Sequence, residues 1–244
     1  MIPPARTVAR TLWRDGKAHR GARVLPEETA VVLTYNRATL AVMLATPADL
    51  EDFALGFSLT EGIIETPAQL DELKVVALDN GIELRMWLAP ERAGIADARR
   101  RRLIGPSGCG LCGIESLGDA VRQPSPVVSN VCFAGADVAT AMEALPGAQE
   151  LNRATHAVHA AAFWHPARGM VALREDVGRH NALDKLAGAL ARQGTAASDG
   201  IVLLSSRLSV ELVQKAAAIG APVVAAVSAP TALAVRVAER AGIT

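Results

Sequence analysis

Aromatic residues make up only 3% of this chain. Stacking on successive bases, as in single-strand nucleic-acid binders, needs more aromatic surface than that. With half of the residues hydrophobic, the core is expected to be aliphatic, built from Ala, Val, Leu and Ile. Net charge is lacking too, with 25 basic residues against 25 acidic ones. No global field draws the chain to nucleic acid or to an anionic membrane, so any charged site must be local. Cysteine occurs three times, which leaves one unpaired in any disulfide framework and predicts a reducing compartment. No apolar run approaches the roughly 18 to 20 residues that span a bilayer, and the arginines near the N-terminus precede no apolar h-region. A cytoplasmic protein with neither membrane nor nucleic-acid partners is expected.

What cysteine there is lies close together. Cys109 and Cys112 form Cys-Gly-Leu-Cys between Gly108 and Gly113, a few residues after the run Arg99 to Arg102. Thiols beside cations favour the reactive thiolate. Structural zinc would need a second such pair or suitably spaced histidines, and only Cys132 and five scattered histidines remain. A zinc deaminase needs His-x-Glu and Pro-Cys-x-x-Cys, and neither is present. Thioredoxin-like chemistry would open a helix with the pair, which glycines at 108, 110 and 113 disfavour. Simple disulfide cycling stays open beside acceptance of a sulfur atom as a persulfide and its onward transfer, and no metal is expected. Cys132, between Val131 and Phe133, reads as packed core. The arginines form no single patch if helical, and approach the thiolates only from an irregular loop.

Regular structure is expected after about thirty polar, proline-bearing residues that include a mobile arm. Ala30 to Tyr35 and Thr39 to Ala45 flank Asn36-Arg37 as a hairpin. Thr46 and Pro47 then start a helix that Gly62 stops, and Thr66-Pro67 with Gln69 forms a capping box. Lys74 to Asp79 and Ile82 to Leu88 flank Asn80-Gly81 as a second hairpin. These features define an α+β lobe over residues 1–125 that ends in the cysteine loop. Residues 126–244 alternate β-α-β-α-β-α, with strands at 170–173, 201–204 and 223–227. Helices follow from Asn181, Ser209 and Thr231, and a mostly parallel sheet covered by helices is the economical architecture. The chain is therefore read as α/β.

In such sheets ligands sit beyond the carboxyl ends of strands, where helix N-termini offer free N–H groups. Three strand-to-helix loops carry suitable chemistry: Glu175 to His180, Ser205 to Arg207, and Ser228 to Thr231. Asp176, Arg179, His180, Ser205, Arg207, Ser228 and Thr231 are the candidates, and arginines with hydroxyls suit an anionic ligand. Helix capping alone would account equally well for any one serine or threonine.

Several long stretches carry a resemblance. Gly-Cys-Gly-Leu-Cys-Gly at 108 to 113, Glu-Asp-Val-Gly-Arg-His-Asn-Ala-Leu-Asp-Lys-Leu at 175 to 186, and Ser-Ala-Pro-Thr-Ala-Leu-Ala-Val at 228 to 235 resemble the formate dehydrogenase accessory sulfurtransferases, the FdhD sulfur carrier proteins. Thr46 to Phe57 with Glu61-Gly62 fits as well, so the resemblance runs from about Glu27 onward. It implies a sulfurtransferase that takes sulfur from a cysteine desulfurase and delivers it to the molybdenum cofactor, a bis-molybdopterin guanine dinucleotide, for the formate dehydrogenase catalytic subunit. Cys109 would carry the persulfide, Cys112 would assist, and the C-terminal loops with His159 would hold the dinucleotide. A homodimer and a cytidine-deaminase-like C-terminal lobe are also implied. The alternative is a non-enzymatic cofactor chaperone whose cysteines bind a partner or metal. Three departures from the family pattern stand out. Ser206 replaces a usual glycine, Thr155-His156-Ala157 replaces Thr-Gly-Gly, and members usually run past Ala-Gly-Ile-Thr into a strand and a loop that helps bind the cofactor.

Overall fold

Two four-stranded sheets and the helices between them organise a computed structural model of the chain, which describes residues 2–102 and 123–244 except the side chains of Asp97 and of residues 99–102. The expected mobile arm is a hairpin. Strands β1 (Ala5–Arg14) and β2 (Lys17–Pro26) pair from Ala5↔Pro26 to Arg14↔Lys17. They turn at Asp15-Gly16, whose φ values of 52° and 71° suit the Asp-Gly turn chemistry. Arg23 ties this hairpin down by donating to the Thr155 carbonyl at 3.2 Å.

The first sheet has the order β4-β3-β6-β5, from β3 (Thr29–Tyr35), β4 (Ala38–Ala45), β5 (Leu70–Leu78) and β6 (Gly81–Leu88). Its central pair, β3 and β6, is parallel and its outer pairs are antiparallel. The second turn falls one residue earlier than expected, at Asp79-Asn80. Gly81 instead opens β6, where a Cβ would lie 2.4 Å from the Ala30 carbonyl oxygen. Helix α1 (Leu50–Thr60) covers one face of the sheet. It begins later than Thr46-Pro47 suggests because Thr46 is engaged elsewhere, and Asp49 caps it in a left-handed conformation. The capping box at Thr66 encloses only a short 3-10 turn over Pro67–Gln69. Helix α2 (Ala93–Arg102) follows and includes the arginine run.

After residues 123–134, which form no helix or strand, come α3 (Gly135–Ala148), α4 (Glu150–Thr155), β7 (His159–His165), β8 (Gly169–Asp176) and α5 (Arg179–Arg192). Then follow β9 (Ile201–Leu204), α6 (Val210–Ala218), β10 (Val223–Ala226) and α7 (Ala232–Arg240). The α/β class holds, but this sheet is mixed rather than mostly parallel. Its order is β10-β9-β7-β8, and β7 runs antiparallel to both neighbours. Strand β7 escaped notice because its Ala160 to Ala162 have low strand propensity and no alternation. Cys132, expected in the core, is exposed, since the stretch from 123 to 134 runs over the surface.

Helices α5, α6 and α7 pack on one face of the second sheet, and α3 packs on the other. Helix α1 lies along α5, so α5 is buried from Asn181 to Leu190. Glycine permits the approach. A Cβ at Gly56 would lie 1.7 Å from the Asp184 carbonyl oxygen, and one at Gly188 would lie 1.9 Å from that of Asp52. No helix among the described residues is long and apolar enough to cross a membrane.

Candidate functional site

Inserting an antiparallel strand leaves the directions of the other three unchanged. Strands β8, β9 and β10 still point the same way, so their carboxyl ends share one edge with the start of β7. His159 stands there opposite Asp176, and Ala161 stands opposite Leu204. The three polar loops therefore converge as their sequence positions suggest.

The edge continues beyond the sheet. Ser205 N–H donates to the Ala160 carbonyl at 3.0 Å, while Ser205 Oγ accepts from Ala160 N–H at 2.7 Å. Val227 N–H donates to the Leu204 carbonyl at 2.9 Å, and Thr231 N–H donates to that of Leu208 at 3.0 Å. These bonds fix the loops where they leave the strands. Thr231 also caps α7, its hydroxyl accepting from Ala234 N–H at 3.2 Å. Arg207, Ser228 and Thr231 are exposed, whereas Arg179, His180, His159 and Ser205 are half-buried. Helices α5, α6 and α7 all begin here, so their N–H groups add to the arginine charge in favouring an anion.

Asp176 behaves differently from its neighbours. It is fully buried and ion-paired to Lys185 Nζ at 2.7 Å. It also accepts from Thr46 N–H at 3.0 Å, Gly178 N–H at 2.7 Å and Asn181 Nδ2 at 3.0 Å. With both oxygens occupied, it fixes the loop that carries Arg179 and His180 and presents nothing to solvent. Asn181, expected to cap α5, serves this network and the Leu44 carbonyl instead.

Burial, with Arg179 next, lowers the pKa of His159 against an opposing pull from Asp176. Burial also takes His180 down to about 4, helped by Arg179 and Lys215. Both imidazoles are therefore neutral at pH 7. Arg179 Nε, His180 Nε2 and Ser209 Oγ are buried and have no hydrogen-bond partner among the described residues, an unusual concentration of unused polar atoms at one edge.

A second buried cluster lies behind His180. Lys215 Nζ meets Asp184 Oδ1 at 2.8 Å, Glu61 Oε1 at 2.9 Å and Thr60 Oγ1 at 3.1 Å. Sequence reading missed it, although a lysine among Leu212, Val213, Ala216 and Ala217 was a usable signal. Cys109 and Cys112 lie outside the described residues. Among the described residues no three His, Cys, Asp or Glu side chains are grouped to hold a metal ion.

Comparison with known proteins adds an independent line. The profile of the FdhD/NarQ family matches residues 26–244. Proteins named sulfur carrier protein FdhD are similar along nearly the whole chain. The one from Agrobacterium fabrum is 54% identical, over 98% of this chain and 89% of its own length. That from Cupriavidus necator is 52% identical, over 99% and 84%. In the crystal structure of a candidate formate dehydrogenase accessory protein from Desulfotalea psychrophila, the fold recurs with a TM-score of 0.77. That similarity has 23% identity and covers 99% of this chain and 91% of the other.

Proposed function

The chain belongs to the FdhD/NarQ family, and on that premise we propose that it carries sulfur as a persulfide on Cys109, assisted by Cys112. The sulfur comes from a cysteine desulfurase and goes to the molybdenum cofactor, a bis-molybdopterin guanine dinucleotide bound as substrate, for formate dehydrogenase. The reading includes a cytoplasmic homodimer. The observation that carries it is the joint one: relatives named for sulfur carriage, and an edge where half-buried Arg179, exposed Arg207 and three helix N-termini meet. Such an edge suits the phosphates of a dinucleotide. His159 and His180, held neutral, add hydrogen-bonding capacity without repelling Arg179.

The test is persulfide formation. After incubation with a cysteine desulfurase and cysteine, intact mass under non-reducing conditions is expected to show one labile sulfur on the parent and none on Cys109→Ala. A Cys109→Ala protein that gains the same sulfur sinks the assignment. Bound zinc in place of a persulfide would favour the chaperone alternative.

A further inference from the structure

The outer face of the first sheet, away from α1, holds a cleft of about 330 Å³ lined by Thr34, Arg37, Glu83, Arg85, Met86 and Trp87. Its most unusual member is Arg37. The β3–β4 turn is a two-residue loop, Asn36-Arg37, with φ values of 47° and 71°. The β1–β2 turn reaches the same 71° at its second position with Gly16. Left-handed backbone is the natural place of glycine in this turn type, and a long side chain there is conformationally disfavoured. A long side chain kept at such a position directs attention to what it could contact.

The turn backbone that carries it is held in place. Asn36 N–H donates to the Met86 carbonyl at 2.9 Å, and Asn36 Oδ1 accepts from Leu88 N–H at 3.0 Å. The loop is thereby pinned to the end of β6, whose Glu83, Arg85 and Trp87 line the cleft. Arg85 is fixed by Nε and Nη2 contacts to Glu83 Oε2, both at 2.8 Å, and these use part of its five-donor fork. Arg37 is exposed and has no ion-pair or hydrogen-bond partner among the described residues. Trp87 supplies an aromatic wall, with Lys74 Nζ 5.6 Å from its ring centroid and itself paired to Glu72.

We infer that this cleft binds a carboxylate borne on an apolar body, with Arg37 and Arg85 holding the anion and the Trp87 ring packing the body. Two arginines and one glutamate leave a single positive charge in the cleft, which a monoanion neutralises. A phosphate dianion would overcharge it and face Glu83. The site lies on the opposite side of the first sheet from α1 and is independent of the sulfur-carrier reading.

Full-length protein is titrated with N-acetyl-leucine, its uncharged amide and inorganic phosphate, following the Trp87 indole N–H resonance. Only the acid is expected to give a saturable shift. Arg37→Gly is expected to melt higher than the parent, because the turn is relieved, while binding the acid roughly ten-fold more weakly or not at all. Arg37→Asn, compatible with left-handed backbone, should lose binding equally and guards against a folding artefact. The inference is overturned if the acid does not bind, if the amide or phosphate binds as well, or if either variant binds like the parent.

Discussion

Lys185 and Lys215 occupy matching places between α1 and the second sheet, yet one closes a circuit and the other leaves it open. Each lies over a phenylalanine of α1, Lys185 at 5.9 Å from Phe53 and Lys215 at 5.5 Å from Phe57, one helical turn apart. Each joins a residue of the N-terminal half to an aspartate of the C-terminal half. Lys185 reaches the Thr46 carbonyl at 2.8 Å and Asp176 at 2.7 Å. Lys215 reaches Thr60 and Asp184, and also takes on Glu61. One lysine serving two carboxylates leaves an excess negative charge. Burial raises the pKa of Asp184 even against Lys215, and burial's opposing effect on Lys215 is outweighed by Asp184 and Glu61, which raise it. Lys185 therefore locks the two halves together, whereas the Lys215 cluster keeps unsettled charge beside His180.

Breaking the lock should cost most. Lys185→Met leaves Asp176 buried without its cation, and removal of one partner from such a pair costs about 3–5 kcal/mol. Urea unfolding at pH 7 measures it, and a loss below about 1 kcal/mol would show that the pair does not hold the halves together. The loop carrying Arg179 and His180 should loosen too, since Asp176 anchors it through Gly178 and Asn181.

Little of this lock was legible beforehand. The polar strand ends, the Asn36-Arg37 turn, the buried face of α5 and the Thr231 cap follow from local chemistry, and local chemistry is readable residue by residue. Thr46 looked like a helix cap for the same reason. Its real partners, Asp176 and Val177, lie some 130 residues away, and only the fold brings them within 3.0 and 3.1 Å. Gly56 and Gly188 likewise give no sign alone, because their role exists only where two helix backbones meet. Asp184 and Lys185 give no local sign of burial either, because only α1, packed along α5, covers the face they occupy. For the cysteine pair, motif and relatives carry the reading without geometry.

His180, which lies beside the second cluster, should carry the acid sensitivity. His180 titrates near 6.5 when unfolded and at about 4 when folded, so between those values the unfolded chain binds the proton first. Stability should thus fall as pH drops through that window, by up to about 3 kcal/mol for this residue. Part of the slope belongs to His159, whose pKa is lowered in the same direction. Urea midpoints from pH 7 to pH 4 should decline more steeply in the parent than in His180→Gln. Equal slopes would remove His180 from the account.

Cutting the open circuit should cost less than cutting the closed one, and the deficit should change with pH. In Lys215→Met the Glu61 side chain, 17% exposed, can turn toward water, and Asp184 can take up a proton. About 1–2 kcal/mol at pH 7 is expected, below the usual range for a broken buried pair because both carboxyls have an escape. With the lysine gone, the folded pKa of Asp184 rises further above its unfolded value. The folded chain then gains the proton before the unfolded chain does, and the deficit should shrink as pH falls toward 5. A deficit as large as that of Lys185→Met, or one that grows with acid, would mean that the two lysines do the same job after all.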